Sequence, residues 1–232
     1  MTLSATPAAP VEDPASSAPT SSGLVFESVS ITRAGAPLIA LDARVPPGDV
    51  LTVMGPSGIG KSTLLAYAAG FLDPVFEARG RVRVDGEDIT ALPAHRRHMG
   101  LLFQDAMLFP HLSVAGNIAF ALPAEVRGRA RRREAVRDAL AEVGLADLAT
   151  RDPATLSGGQ KARVALMRVL VSAPRALLLD EPFSKLDATL RDQIRTLVFD
   201  KARARALPVL LVTHDRADAE AAGGRCIDLE PR

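Results

Sequence analysis

One cysteine, Cys226, is all the thiol chemistry the chain has. No internal disulfide can form, which suits a reducing compartment, and Cys226 itself reads as a small, semi-buried hydrophobe. Long apolar runs are missing too. None approaches the roughly 18 residues that a membrane-spanning helix needs, so any work at a membrane must go through a partner. Net charge is almost absent: 28 Lys and Arg against 27 Asp and Glu leave +1. No global field therefore draws the chain to nucleic acid or to anionic lipid. Residues 1–22 contain no Lys or Arg and are rich in Ala, Pro, Ser and Thr. A signal peptide needs a basic start and an apolar centre; with neither present, this stretch reads as a disordered tail.

What remains is ordinary for a globular protein. Of 232 residues, 47% are hydrophobic and 24% charged, enough to build a sizeable core. An ordered domain is expected over 23–232, beginning at Gly23-Leu24-Val25-Phe26.

The most informative stretch is Gly55-Pro56-Ser57-Gly58-Ile59-Gly60-Lys61-Ser62-Thr63. It matches G-x-x-x-x-G-K-[ST], the phosphate-binding P-loop. Glycines at 55, 58 and 60 let the backbone turn tightly around a phosphate. The freed N–H groups form an anion nest, and a helix starting near Lys61 points its positive dipole end at the same oxygens. Lys61 adds a point charge for the β and γ oxygens, and the Ser62 hydroxyl is placed to ligate Mg²⁺. The setting agrees: Val50–Met54 reads as a buried strand before the loop, and Leu64–Ala69 as a helix after it, closed by Gly70.

Residues 24–54 read as short strands with turns at 34–37 and 46–49. Gly80–Gly86 alternates Val with Arg and turns at Asp85-Gly86, which suggests an antiparallel lobe beside the nucleotide core. Met99–Phe103 reads as a buried strand that delivers Gln104 to a ligand crevice. Residues 111–150 read as mostly helical, with Val136, Ala139, Leu140 and Val143 on one face and Gly144 as a stop. Five arginines fall between Arg127 and Arg133. No aromatic residues are interleaved, so they read as a solvated helix start rather than a nucleic-acid patch.

Leu156-Ser157-Gly158-Gly159-Gln160 precedes a helical stretch over 161–171. Ser157 is a suitable N-cap, and two glycines at a helix start expose N–H groups as a second anion site. Ala176–Leu179 is a continuous apolar run, as in a central parallel strand. It delivers Asp180-Glu181 to the sheet edge, where adjacent carboxylates need a nearby cation. A Mg²⁺ between Ser62 and Asp180 would supply one and leave Glu181 free to accept a proton from water. A helix is expected over 188–206, broken by Pro208. A buried strand over 209–213 then ends at His214, facing the same crevice.

At this point the residues resemble a family. Over about residues 24–222 the chain is similar to the ATP-binding subunit of ABC transporters. Leu156–Gln160 corresponds to the family's defining signature, and the P-loop, Gln104, Asp180-Glu181, Ser184–Asp187 and His214 follow in the family's order. The resemblance implies an α/β P-loop NTPase of the ABC ATPase type. Its core sheet would be mainly parallel, with an antiparallel β lobe and a helical subdomain over about 105–165. It also implies roles. Gly55 to Thr63 cradle ATP; Ser62, Gln104 and Asp180 surround Mg²⁺; Glu181 orients the attacking water; His214 contacts the γ-phosphate. Ser157, Gly158, Gly159 and Gln160 close over the ATP of a second copy, and Asp187 links the two sites.

Two departures stand out. The family usually places an aromatic residue before the P-loop to stack on adenine. The corresponding stretch, Val29–Arg33, offers only apolar contact from Ile31 or the guanidinium plane of Arg33. Only 18 of the 232 residues follow His214, room for one short strand, so no regulatory domain is expected. Within the family the stretch Phe103–Val114 is similar to that in importers for thiamine, molybdate, iron, sulfate and polyamines. The whole chain resembles a little-characterised thiamine-like importer subunit. The implied partners are a second ATPase subunit, membrane permeases and a periplasmic substrate-binding protein, with no nucleic acid. The implied place is the cytoplasmic face of the inner membrane, held peripherally. An export or lipoprotein-release ATPase and a soluble non-transport ATPase remain alternatives.

Overall fold

The computed structural model describes residues 22–229. The tail expected over 1–22 lies outside the described residues except for Ser22. Two long strands open the chain, β1 (Leu24–Arg33) and β2 (Ala36–Val45), followed by β3 (Val50–Met54) and helix α1 (Lys61–Ala69). Next come β4 (Phe76–Val84), β5 (Glu87–Asp88), the short α2 (Ala94–Arg97) and β6 (Met99–Phe103). Three helices follow, α3 (Val114–Ala121), α4 (Arg129–Glu142) and α5 (Gly158–Val171). The chain then alternates β7 (Ala176–Asp180), α6 (Ala188–Ala204), β8 (Val209–Val212), α7 (Arg216–Ala222) and β9 (Arg225–Asp228).

The strands form two sheets. One is antiparallel, in the order β2-β1-β4-β5; the other is β6-β7-β8-β3-β9, with every recorded pairing parallel. β3 and β8 are buried along their whole length, which continuous apolar runs allow only when both faces are covered. β7 shows how the layers divide. Leu177 and Leu179 pack into the core shared with the helices, whereas Ala176 and Leu178 pack toward the antiparallel lobe. Burying each such leucine contributes about 1.5–3 kcal/mol.

β1 and β2 are each ten residues long, longer than the short strands expected from sequence. A bulge resolves the difference. Register shifts between Phe26 and Val29, where Ser28 takes φ 48°. Asp42 holds that turn by accepting from the Ser28 N–H (2.8 Å) and hydroxyl (3.1 Å). The strand therefore continues through an apolar pattern whose alternation is broken once. α5 begins at Gly158, three residues before the expected start, because a capping box satisfies its first turn. Cys226, expected to be semi-buried, is exposed, since β9 pairs only with β3 at the sheet edge.

One buried cation ties the lobe to the core. Arg97, 5% exposed, donates to the carbonyls of Tyr67 (2.8 Å) and Ala68 (3.1 Å) at the end of α1, and also to Leu92 and Thr90. A cation at these last-turn carbonyls complements the helix dipole.

Candidate functional site

Sheet topology assembles the site. β6, β7, β8 and β3 are neighbours and run in parallel, so the segments that follow them leave from one edge. These segments carry Gln104, Asp180-Glu181, His214 and the P-loop. In register, Phe103 faces Asp180 and Asp180 faces Val212, which brings the three crevice segments to one level.

The P-loop folds as its spelling requires. Gly55 has φ 148°, and a Cβ there would lie 2.9 Å from the Leu229 carbonyl; Gly60 has φ 101°, and a Cβ would meet Leu38 at 2.8 Å. Backbone conformation and close packing both select glycine at these positions. The Lys61 side chain folds back and donates to the carbonyls of Gly55 (2.6 Å) and Pro56 (2.9 Å). Around it opens a cleft lined by Ser57, Gly58, Gly60, Lys61, Ser62, Thr63 and Glu181. Ile59, between Gly58 and Gly60, is half-buried.

A second cleft joins the first. Ser62, Gln104, Asp180 and Glu181 line it together with Phe103, Asp105 and Met107. The Ser62 hydroxyl donates to Asp180 Oδ1 at 3.0 Å. Burial pushes the Asp180 carboxyl above its ordinary value, and the neighbouring Glu181 charge adds to the effect; the Ser62 hydrogen bond and Lys61 oppose it. A partly buried carboxylate beside another carboxylate, bonded to a hydroxyl, is a hard oxygen donor set. It suits Mg²⁺, which takes one or two carboxylates and fills its remaining positions with phosphate and water. Among the described residues there is no cluster of three or more His, Cys, Asp or Glu side chains that would cage a metal without a phosphate.

Glu181 occupies the left-handed region, φ 46°. Its N–H donates to the Val212 carbonyl at 2.9 Å, and its carbonyl accepts from the Ser184 hydroxyl at 2.8 Å. Such a conformation costs roughly 1–3 kcal/mol in a non-glycine residue and persists where the surroundings enforce it. It aims the carboxylate at His214, whose Nδ1 lies 3.1 Å from Oε1. The imidazole's other nitrogen remains available for a further partner.

The second predicted anion site folds on its own. Ser157 Oγ accepts from the Gln160 N–H at 3.3 Å, while Gln160 Oε1 accepts from the Ser157 N–H at 2.9 Å. Gly158 is exposed and Gly159 is buried against Leu190. Gly158 lines a cavity with Gln104 and Asp105 that includes no P-loop residue. Asp187 caps α6, accepting from the Leu190 N–H at 3.0 Å. Of the two candidates for base contact, Ile31 is 1% exposed inside the lobe's core and is withdrawn from that role. Arg33 is exposed, with its guanidinium 5.9 Å from the centre of the Phe76 ring.

Several contacts were not read from sequence. Arg168 on α5 grips the carbonyls of Met107 (2.7 Å) and Ala106 (3.1 Å), and Lys185 reaches both carboxylate oxygens of Asp105 at 2.6 Å. Arg191 joins the Leu186 carbonyl (3.1 Å) to Asp215 (2.8 Å), beside His214. Apart from Leu186, each partner lies at least 24 residues away in sequence, and a surface cation carries no mark of what it will hold.

Residues 38–184 match the ABC transporter family. An uncharacterised ABC transporter ATP-binding protein of Escherichia coli (strain K12) is 52% identical over 184 residues, 79% of this chain and 84% of that protein. A thiamine import ATP-binding protein of Aliivibrio fischeri is 44% identical over 184 residues, 79% of this chain and 77% of that one. An Fe(3+) ions import ATP-binding protein of Agrobacterium fabrum is 42% identical over 205 residues, 88% of this chain. The chain spans only 57% of the length of that iron relative. This chain belongs to the ABC transporter family, as one of its ATP-binding ATPases.

Proposed function

We propose that this ATPase powers solute import across the cytoplasmic membrane through a separate permease. It works as a pair of copies that sandwich ATP. Relatives named as import ATP-binding proteins for thiamine and Fe(3+) ions support the direction of transport. No helix among the described residues is long and apolar enough to cross a membrane, in keeping with peripheral attachment at the inner membrane's cytoplasmic face. One observation carries the sandwich. The chain has two helix starts suited to an anion, at Gly60–Ser62 and at Ser157–Gln160; Gly158 of the second lines a cavity that holds no P-loop residue. In this reading a phosphate held by both lies between two chains.

In this reading Gly55 to Thr63 wrap the phosphates with backbone N–H groups, and Lys61 leaves its own carbonyls for the β and γ oxygens. Ser62, Asp180 and Gln104 would hold Mg²⁺, which when bound neutralises charge on the phosphate oxygens. Glu181 accepts a hydrogen bond from water, orients it and takes its proton as the water oxygen bonds to the γ-phosphorus. The bond to the β–γ bridging oxygen breaks, leaving ADP and phosphate. His214, with Nδ1 3.1 Å from Glu181 Oε1, presents its other nitrogen to the γ-phosphate. Ser157 to Gln160 of the second copy cover the same phosphate, and Asp187 joins the two sites. Loss of the γ-phosphate then removes the contact shared by both chains, and the pair opens.

The permease surface would lie around Phe109–Val114. A groove nearby, between α3 and α4, has Ala115, Ala119, Val136 and Leu140 in its floor and Arg129, Arg132, Arg133 and Arg137 around it. That combination suits an amphipathic cytoplasmic helix bearing acidic residues, and a periplasmic binding protein would supply the cargo. The decisive experiment is gel filtration of Glu181→Gln with MgATP. The variant should run as a dimer and turn over at least about 10²-fold more slowly than the natural chain. A monomer at saturating ATP would end the sandwich. Cross-linking from Phe109–Val114 should capture a membrane subunit; capture of ribosomal protein instead would favour the soluble alternative.

A further inference from the structure

The loop that leaves β6 carries Gln104 into the crevice, and a cavity lies beside its first residues. The cavity, of about 190 Å³, is floored by Leu102, Ala162, Ala165, Phe183, Ile194 and Val198. Apolar packing holds the loop at Ala106 and Leu108, whereas Gln104 and Asp105 are exposed. Two cations hold the loop as well. Arg168, from the helix that begins at the Ser157 turn, holds the carbonyls of Ala106 and Met107. Lys185, two residues before Asp187, holds both oxygens of Asp105, at 2.6 Å each.

We propose that Lys185 and Asp105 are a positioning pair. They lock the Gln104 loop to the segment that ends at Asp187, so that the crevice and the surface facing the second copy move as one piece. This rests on the proposed roles of Gln104, Glu181 and Asp187. The pair's own exposure argues against a global structural role. Its side chains are 51% and 62% exposed, and such a pair adds little to folding stability. What it does constrain is a short segment on each side. Asp105 adjoins Gln104, and the 184–187 segment is already anchored at its other end, where Arg191 takes the Leu186 carbonyl and Asp215. Through Lys185 the loops after β6, β7 and β8 form one chain of charge-assisted contacts. A displacement of about 1 Å at a reacting group can cost on the order of 10²-fold in rate, so a weak surface pair can matter to turnover without mattering to folding.

The test is MgATP hydrolysis by the purified full chain carrying Asp105→Ala, Lys185→Ala or the exchange Asp105→Lys with Lys185→Asp, beside Glu181→Gln. Each alanine variant should lower kcat by about 5- to 20-fold, a fraction of the positional limit. KM for ATP should stay within about twofold and the melting temperature within about 2 °C. The exchanged pair should recover at least half of the natural rate. Because exposed charges are screened by salt, the natural chain's kcat should fall as salt rises while the alanine variants stay flat. Alanine variants with unchanged kcat, or an exchange that recovers nothing, would overturn the pair. Hydrolysis that survives Glu181→Gln would instead overturn the underlying assignment of the site.

Discussion

The two helix starts read as anion sites make different demands on glycine. Gly55 and Gly60 are required by the chain itself: positive φ and neighbours closer than 3.0 Å to any added Cβ leave no alternative. Gly158 is not. A Cβ there would meet nothing nearer than Leu186 at 3.9 Å, and its φ lies outside the left-handed region. Glycine inside a helix is worse than alanine by about 0.5–1 kcal/mol. The P-loop is thus shaped from within, whereas the bareness of Gly158 has no cause inside one chain. The contrast points outward, to something that approaches the Ser157 turn closely.

The sharpest way to break this contrast is Lys61→Ala. The P-loop would lose its one charged phosphate ligand, and ATP affinity should fall by about 10²- to 10³-fold or more, beyond ordinary detection by calorimetry. Normal nucleotide affinity would remove the P-loop from the account. Gly158→Ala probes the other half. The free chain should melt at the same temperature or slightly higher, up to about 3 °C. ATP-driven pairing of a Glu181→Gln background should weaken at least about tenfold, because the methyl group occupies the approach. Undiminished pairing would mean that the Ser157 turn never meets a phosphate.

Asp180 sharpens the comparison at smaller scale. Its folded pKa lies above its unfolded value because of burial, so the folded form holds the proton more tightly. Stability of the nucleotide-free protein therefore declines as pH rises through the window between the two values, and the penalty is complete above it. Asp180→Asn keeps an acceptor for Ser62 and removes the charge. It should raise the melting temperature near neutral pH by about 2–4 °C while hydrolysis collapses, the exchange expected of a strained functional group. Ser157→Ala tests the cap alone. Loss of the cap costs about 1 kcal/mol, read as a shift in urea midpoint.

Legibility in the sequence followed the range of the interactions. The P-loop, the buried run Ala176–Leu179 and the strand ends at Gln104, Asp180 and His214 are local patterns, and the parallel sheet aligns them without further information. The Ser157 cap was also readable, because both partners of the box sit within three residues. What escaped depends on distance in sequence. Asp105 meets Lys185 across 80 positions, and Arg168 reaches back 61 to Met107. The Ser28 bulge hid the length of β1 because its stabilising carboxylate, Asp42, belongs to the next strand. His214 was expected to face a phosphate; its approach to Glu181 depends on the backbone conformation at Glu181, which the sequence does not show.

The ammonium of Lys61 bonded to the carbonyls of Gly55 and Pro56 has a kinetic meaning. The cradle is braced by its own side chain, which ties the two ends of the loop together. On the proposed reading, binding would be a swap of oxygens around one nitrogen, and product departure would let the same nitrogen swing home. A cycle built this way would reset between turnovers without rebuilding its phosphate grip.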